Sequence, residues 1–148
     1  MQLSMFSDYA LRVLMHLATS PDKVLSTRQI SDIHDAKYNH MTKVTGWLVA
    51  EGYATAMRGR GGGLQLARAP EDINLGHLLR KLEEDKPLVD CMRADGGSCC
   101  LSPSCSLAVV LHDAQEAFYA TLEQRTLGSV ISLQPGMARL LHTLNDTA

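Results

Sequence analysis

The chain has 148 residues, 45% hydrophobic and 20% charged, with a formal net charge of −2, which describes one folded domain or a small domain with an appendage and excludes a disordered or fibrous chain. No apolar run approaches the roughly 20 residues that span a bilayer. The opening MQLSMFSDYALRVLMHLA has spaced apolar positions, an early Asp8 and no basic leader, so it does not read as a secretory signal, and a cytoplasmic chain with reduced thiols and no membrane partner is expected.

From the N-terminus, residues 7–19 place Ala10, Leu11, Leu14, Leu17 and Ala18 at helical spacing. Ser7 is the predicted N-cap, and Asp8 falls in the first turn, where a carboxylate suits the helix dipole. Ser26 and Gln29 form a capping box that opens a second helix through Ile30 and Ile33. After the polar break DAKYNH, with Asn39 as cap, a third helix buries Val44, Trp47 and Leu48 and stops at Gly52. The period then changes to two short strands, 53–57 and 64–67, joined by the glycine-rich turn RGRGGG. Three helices and a hairpin in this order predict a winged helix-turn-helix, whose second and third helices are the DNA-binding pair and whose hairpin is the wing.

Asn74 caps a fourth helix through Leu75, Leu78, Leu79 and Leu82. Residues 106–125 contain no Gly or Pro, and Leu107, Val110, Leu111, Ala114, Phe118, Thr121 and Leu122 share one face of a long helix. Such a helix needs a partner surface. A second copy is the economical choice, giving a homodimer; the alternative is packing back on its own domain. Thr126 caps a brief helix over 127–131, and the last dozen residues carry no strong commitment. The fold class expected is mainly α with a small β-hairpin, a winged helix-turn-helix domain plus a long dimerisation helix. Its parts are a DNA-binding domain over 1–84, a cysteine-rich loop over 85–105, the dimerisation helix with its short successor over 106–131, and a C-terminal tail over 132–148.

The charge is distributed unevenly. Residues 1–70 hold eight Lys or Arg against five Asp or Glu, whereas 71–148 hold six against eleven, so the first half is the candidate for contact with a polyanion. Arg58 and Arg60 stand on a wing of little side-chain bulk that enters a minor groove or lies along phosphates. Lys37, Tyr38, Asn39, His40, Thr42 and Lys43, with Arg28 ahead of them, supply cationic, amide and hydroxyl groups for base edges and phosphates of a double-stranded operator. Gly59 to Gly63 is not a nucleotide-binding loop, because no Lys-Ser/Thr follows and it lies between strands.

All four cysteines lie in CMRADGGSCCLSPSC: Cys91, then Cys99 and Cys100, then Cys105. Structural zinc wants paired knuckles of two to four intervening residues, and the segment has no such pair of pairs. Three separated thiolates on one loop are able to surround a polynuclear iron–sulfur cluster; redox-regulatory thiols are the alternative. The six histidines are scattered and no Ser/His/Asp or Cys/His arrangement is present, so an enzyme is not expected.

The order of winged helix, GRGGG wing, three-cysteine loop and long helix resembles the bacterial winged-helix iron–sulfur repressor family, most closely its nitric-oxide-sensing members. The matching stretches are MQLSMFSDYALR, residues 58–66, and Cys99 to Cys105 with Ser102-Pro103 between them. The resemblance implies a homodimeric repressor, a [4Fe–4S] cofactor held by Cys91, Cys99, Cys105 and the partner subunit's Asp8, and nitric oxide as the signal that releases DNA. Other members bind [2Fe–2S] with a His three residues after the last cysteine; here that position is Ala108 and the nearest histidine is His112. Cys100 is a thiol beyond the family's set, and Ser106 stands where many relatives have Arg. A regulator sensing iron–sulfur or redox status through the same loop is the alternative.

Overall fold

Among the described residues, 2–59, 61–101 and 104–147, the computed structural model runs α1 (Met5–Ala18), α2 (Thr27–Ile33), α3 (Tyr38–Ala50), β1 (Ala54–Met57), β2 (Gly63–Leu66), α4 (Leu75–Leu82), α5 (Ser106–Glu123), α6 (Leu127–Leu133) and α7 (Pro135–Thr147). Short 3₁₀ turns sit at Pro70–Asp72 and Asp90–Met92. The chain divides into two units, Met5–Ile73 with Thr126–Ala148 and Met1–Ser4 with Asn74–Arg125. Within the second of these α4 packs on α5, and within the first the segment after Arg125 packs on the winged helix.

In the winged-helix unit, the apolar stripe of α1 (Ala10, Val13, Leu14, Leu17) meets Ile30 of α2 and Met41, Val44 and Leu48 of α3 in a core almost without solvent exposure. α1 starts at Met5, and Ser7, expected as its cap, is fully buried inside the helix. The capping box forms as expected: Gln29 N donates to Ser26 Oγ at 3.1 Å and Ser26 N donates to Gln29 Oε1 at 2.9 Å. Lys37 rather than Asn39 occupies the N-cap of α3, without a side-chain bond. The turn between α2 and α3 passes through Asp35 at φ +47°, a left-handed position that Asp tolerates. Strands β1 and β2 pair antiparallel from Ala54↔Leu66 to Met57↔Gly63, and Leu25 adds a bridge to Leu64.

The segment expected as a tail is the helix α7. Pro135 suits its first turn, and Leu141 and Asn145, four residues apart, are buried. Thr126 and Ser129 cap α6 reciprocally, and α6 runs two residues past the expected 131.

In the second unit Asn74 Oδ1 caps α4 by accepting from His77 N at 3.0 Å. Arg80 reaches from α4 to α5, binding both carboxylate oxygens of Glu116 at 2.8 Å and Glu123 Oε1 at 2.7 Å. Its guanidinium also lies 4.6 Å from the Tyr119 ring centroid. These bonds hold Arg80 above its ordinary pKa and Glu116 below its own. The other end of α5 is bare: Leu107, Val109 and Val110 are each 61% exposed.

Candidate nucleic-acid interface and metal centre

Lys37, Tyr38, Asn39, Thr42 and Lys43 are exposed where α3 begins, and the spacing 38, 39, 42, 43 puts the four helical ones on one face. Arg28 of α2 stacks its guanidinium 4.0 Å from the Tyr38 ring centroid, so a cation and an aromatic are presented together. His40 departs from its expected place on this face. Its ring is half-buried edge-on against Tyr9 at 5.4 Å and Phe6 at 6.1 Å, and its buried Nε2 has no hydrogen-bond partner among the described residues. The reason is helical spacing, since 40, 44 and 47 share the face that packs on α1.

An aromatic column then ties α3 to the wing. Trp47 stacks on Tyr53 at 6.0 Å and 13°, and Arg68 lies 4.7 Å over Tyr53 while donating to Gly52 O at 2.9 Å. Arg58 is exposed at the end of β1, and the turn beyond it uses positive φ at Gly59 (+108°) and Gly61 (+80°), which only glycine adopts readily. Arg60 lies outside the described residues.

Asp8 sits in the first turn of α1 with its side chain 48% exposed, paired to Arg12 at 2.8 Å. The sequence pattern did not single out Arg12 as its partner, although the i, i+4 spacing is a visible signal.

The cysteine loop of the second unit closes on itself through Asp90. Its Oδ2 accepts from Ser98 N at 2.7 Å and Ser98 Oγ at 3.2 Å. Gly97 (φ +62°) packs so tightly there that a Cβ would fall 2.2 Å from Asp90 O. This contact brings together the chain segments that carry Cys91 and Cys99. Arg93 and the Gly97 N–H pull the Asp95 carboxyl down to about 2. Cys105 is the N-cap residue of α5, where the helix dipole favours negative charge. All four cysteines are free thiols, Cys99 and Cys100 exposed and Cys91 and Cys105 half-buried; Ser102 and Pro103 lie outside the described residues. Among the described residues no three Cys, His, Asp or Glu converge closely enough to hold a single metal ion. No described helix is long and apolar enough to cross a membrane.

The family model described as Rrf2, iron-dependent transcriptional regulator, matches residues 3–132. The chain belongs to the Rrf2 family. It is 41% identical to the HTH-type transcriptional regulator NsrR of Halalkalibacterium halodurans, over 95% of this chain and 97% of the relative, and 39% identical to NsrR of Shouchella clausii over 95% of each. Among solved structures it resembles T. potens IscR with a TM-score of 0.69 at 20% identity, covering 89% of this chain and 87% of that one. The Rrf2 membership makes the chain a DNA-binding transcriptional regulator and not an enzyme, and the likeness to solved Rrf2 folds agrees with a winged helix-turn-helix.

Proposed function

We propose that this Rrf2 regulator is a cytoplasmic homodimeric repressor that holds a [4Fe–4S] cluster and releases double-stranded operator DNA when it meets nitric oxide. The observation that carries the reading is the loop closed by Asp90 and Ser98, which joins the Cys91 and Cys99 segments ahead of Cys105 at the α5 N-terminus, in a chain so similar to NsrR. The donor set fits. Four free thiols spread along one loop, rather than converging on a point, suit a sulfur-bridged group larger than one ion. Cys91, Cys99 and Cys105 would be three ligands and the partner subunit's Asp8 the fourth. Its carboxylate is half-exposed, and oxygen is a harder, weaker ligand to iron than thiolate. When bound, the cluster supplies iron that reacts with nitric oxide.

The chain's own residues do the rest. Leu107, Val109 and Val110 follow directly on the last cysteine and offer an exposed apolar surface that a second copy would cover. Arg28, Lys37, Tyr38, Asn39, Thr42 and Lys43 meet the major groove, and Arg58 and Arg60 the adjoining backbone or minor groove. One observation favours a second reading, redox-status sensing: Cys99 and Cys100 are adjacent, free and exposed. Anaerobic reconstitution with iron and sulfide tests both. A single broad brown absorption supports [4Fe–4S], structured visible bands support [2Fe–2S], and a colourless zinc protein contradicts either cluster.

A further inference from the structure

A line of hydrogen bonds crosses the winged-helix unit from α1 through the end of α2 to α7. Arg12 Nη1 lies 3.4 Å from His34 Nδ1, and His34 Nε2 lies 2.9 Å from His16 Nε2. His16 Nδ1 lies 2.5 Å from Asn145 Oδ1, and Asn145 Nδ2 donates to His16 O at 3.1 Å and Ser20 Oγ at 2.9 Å. His16, Ser20 and Asn145 are buried.

The direction of every bond follows from the two ends. A guanidinium only donates, so His34 Nδ1 carries a lone pair and the His34 proton is on Nε2. That proton goes to His16 Nε2, which therefore carries a lone pair, and the His16 proton is on Nδ1, donated to Asn145 Oδ1. Each donor meets an acceptor only with both imidazoles neutral. A second proton on His34 would face Arg12, and a second proton on His16 would face the His34 N–H. Either loses a hydrogen bond and sets a cation beside a donor or another cation.

His34 is the C-cap residue of α2, and three residues separate it from the start of α3 at Tyr38. Ala36, in the same turn, is tied at both backbone groups to Ser31: its N–H donates to Ser31 O at 2.9 Å and its carbonyl accepts from Ser31 Oγ at 2.7 Å. The imidazole pair thus anchors one side of the turn that sets how α3 leaves α2, and Ser31 anchors the other.

We propose that His34, held by His16, is a positioning residue of the helix-turn-helix, and that this regulator grips DNA only while both imidazoles are neutral. The inference rests on the reading of α3 as the DNA-facing helix. Burial holds both groups below the ordinary 6.5; the Asn145 bond offsets this in part for His16, and for His34 the proximity of His16 and Arg12 adds to it while Asp8 opposes. The charged or titratable groups that act on the pair are thus Arg12 and Asp8 from α1, beside the two histidines themselves; α7 presents the uncharged Asn145. Because the folded values lie below the unfolded one, the arrangement is fully stable above pH 6.5 and loses stability as pH falls from there through the lowered values.

Two measurements test the proposal. Nitrogen-15 NMR of the imidazoles is expected to show His16 as the Nδ1–H tautomer and His34 as the Nε2–H tautomer, each titrating below 6.5. The opposite tautomers, or titration at or above that value, overturn it. The second uses a duplex that the reconstituted protein itself selects from a random-sequence pool, with affinity followed from about pH 8 to about pH 5.5. Affinity is expected to fall by up to about tenfold per pH unit for each proton taken up. His34→Gln, which keeps a donor and an acceptor without a titratable charge, is expected to match wild type at the alkaline end and to flatten the fall. Acid loss of the cluster is common to both proteins, so the difference between the two profiles is the readout. A flat wild-type profile, or the same acid loss in His34→Gln, overturns the proposal. If His34→Gln fails to fold, the tautomers and the wild-type profile decide. If no duplex is selected at all, it is the DNA-facing reading that has failed, and the NMR arm still reports on the histidine pair.

Discussion

Cys99 and Cys100 are chemically identical neighbours, yet the loop treats them differently. Cys99 follows Ser98, whose N–H and hydroxyl are tied to Asp90, the residue before Cys91. Cys100 is one residue further on, and adjacent side chains in irregular backbone diverge. Cys100→Ser is therefore expected to keep iron and colour after anaerobic reconstitution, whereas Cys91→Ser, Cys99→Ser and Cys105→Ser lose them. A brown Cys99→Ser beside a colourless Cys100→Ser would mean that the ligand register is off by one. On the wing, Arg58→Ala and Arg60→Ala should each weaken duplex binding and lower the magnitude of the log K against log salt slope by about one, with the visible spectrum untouched. An unchanged slope would take the wing off the DNA. At this scale the cysteines and wing arginines stand out in the sequence as candidates, because thiols and guanidinium groups advertise their chemistry by spacing. His16, His34 and Asn145 were not, since three polar residues 18 and 111 positions apart become one network only once α1, α2 and α7 are folded.

Helix boundaries show which local signals carry weight. The Ser26–Gln29 box and the Asn74 cap were readable because both partners lie within one turn. Ser7 misled because a Ser ahead of an acidic residue looks like a cap, whereas Phe6 already belongs to the helix and packs on Trp47. α7 escaped notice because one of its buried positions is Asn145, which reads as surface in any hydrophobicity pattern. The α4–α5 contact depends on a residue without a side chain: a Cβ on Gly76 would lie 2.3 Å from Glu123 Cγ and 2.8 Å from Tyr119 O. Gly76→Ala is expected to destabilise the protein by about 1–3 kcal/mol through overpacking, measurable as a lower urea midpoint; an unchanged midpoint would show that the two helices part freely. At the other end of α5, Val110→Glu puts a charge on the exposed apolar stretch beside Leu107 and Val109. Sedimentation should then report a monomer, against the dimer expected of the wild-type chain. A dimer that survives the change would move the subunit contact elsewhere.

At the scale of the whole molecule, the chain keeps two kinds of chemistry apart in sequence. One is a basic, aromatic-braced helix-turn-helix, and the other is a thiol loop ahead of a long helix. Family membership makes the first a regulator's apparatus, and the account stands or falls on whether the second controls it. Duplex binding is therefore best measured anaerobically on the iron–sulfur-reconstituted protein and on the iron-free protein, each before and after addition of nitric oxide. Tight binding is expected of the reconstituted protein alone, abolished by nitric oxide, with weak binding by the iron-free protein that nitric oxide does not alter; equal affinity in all four samples would rule out the thiol loop as the control.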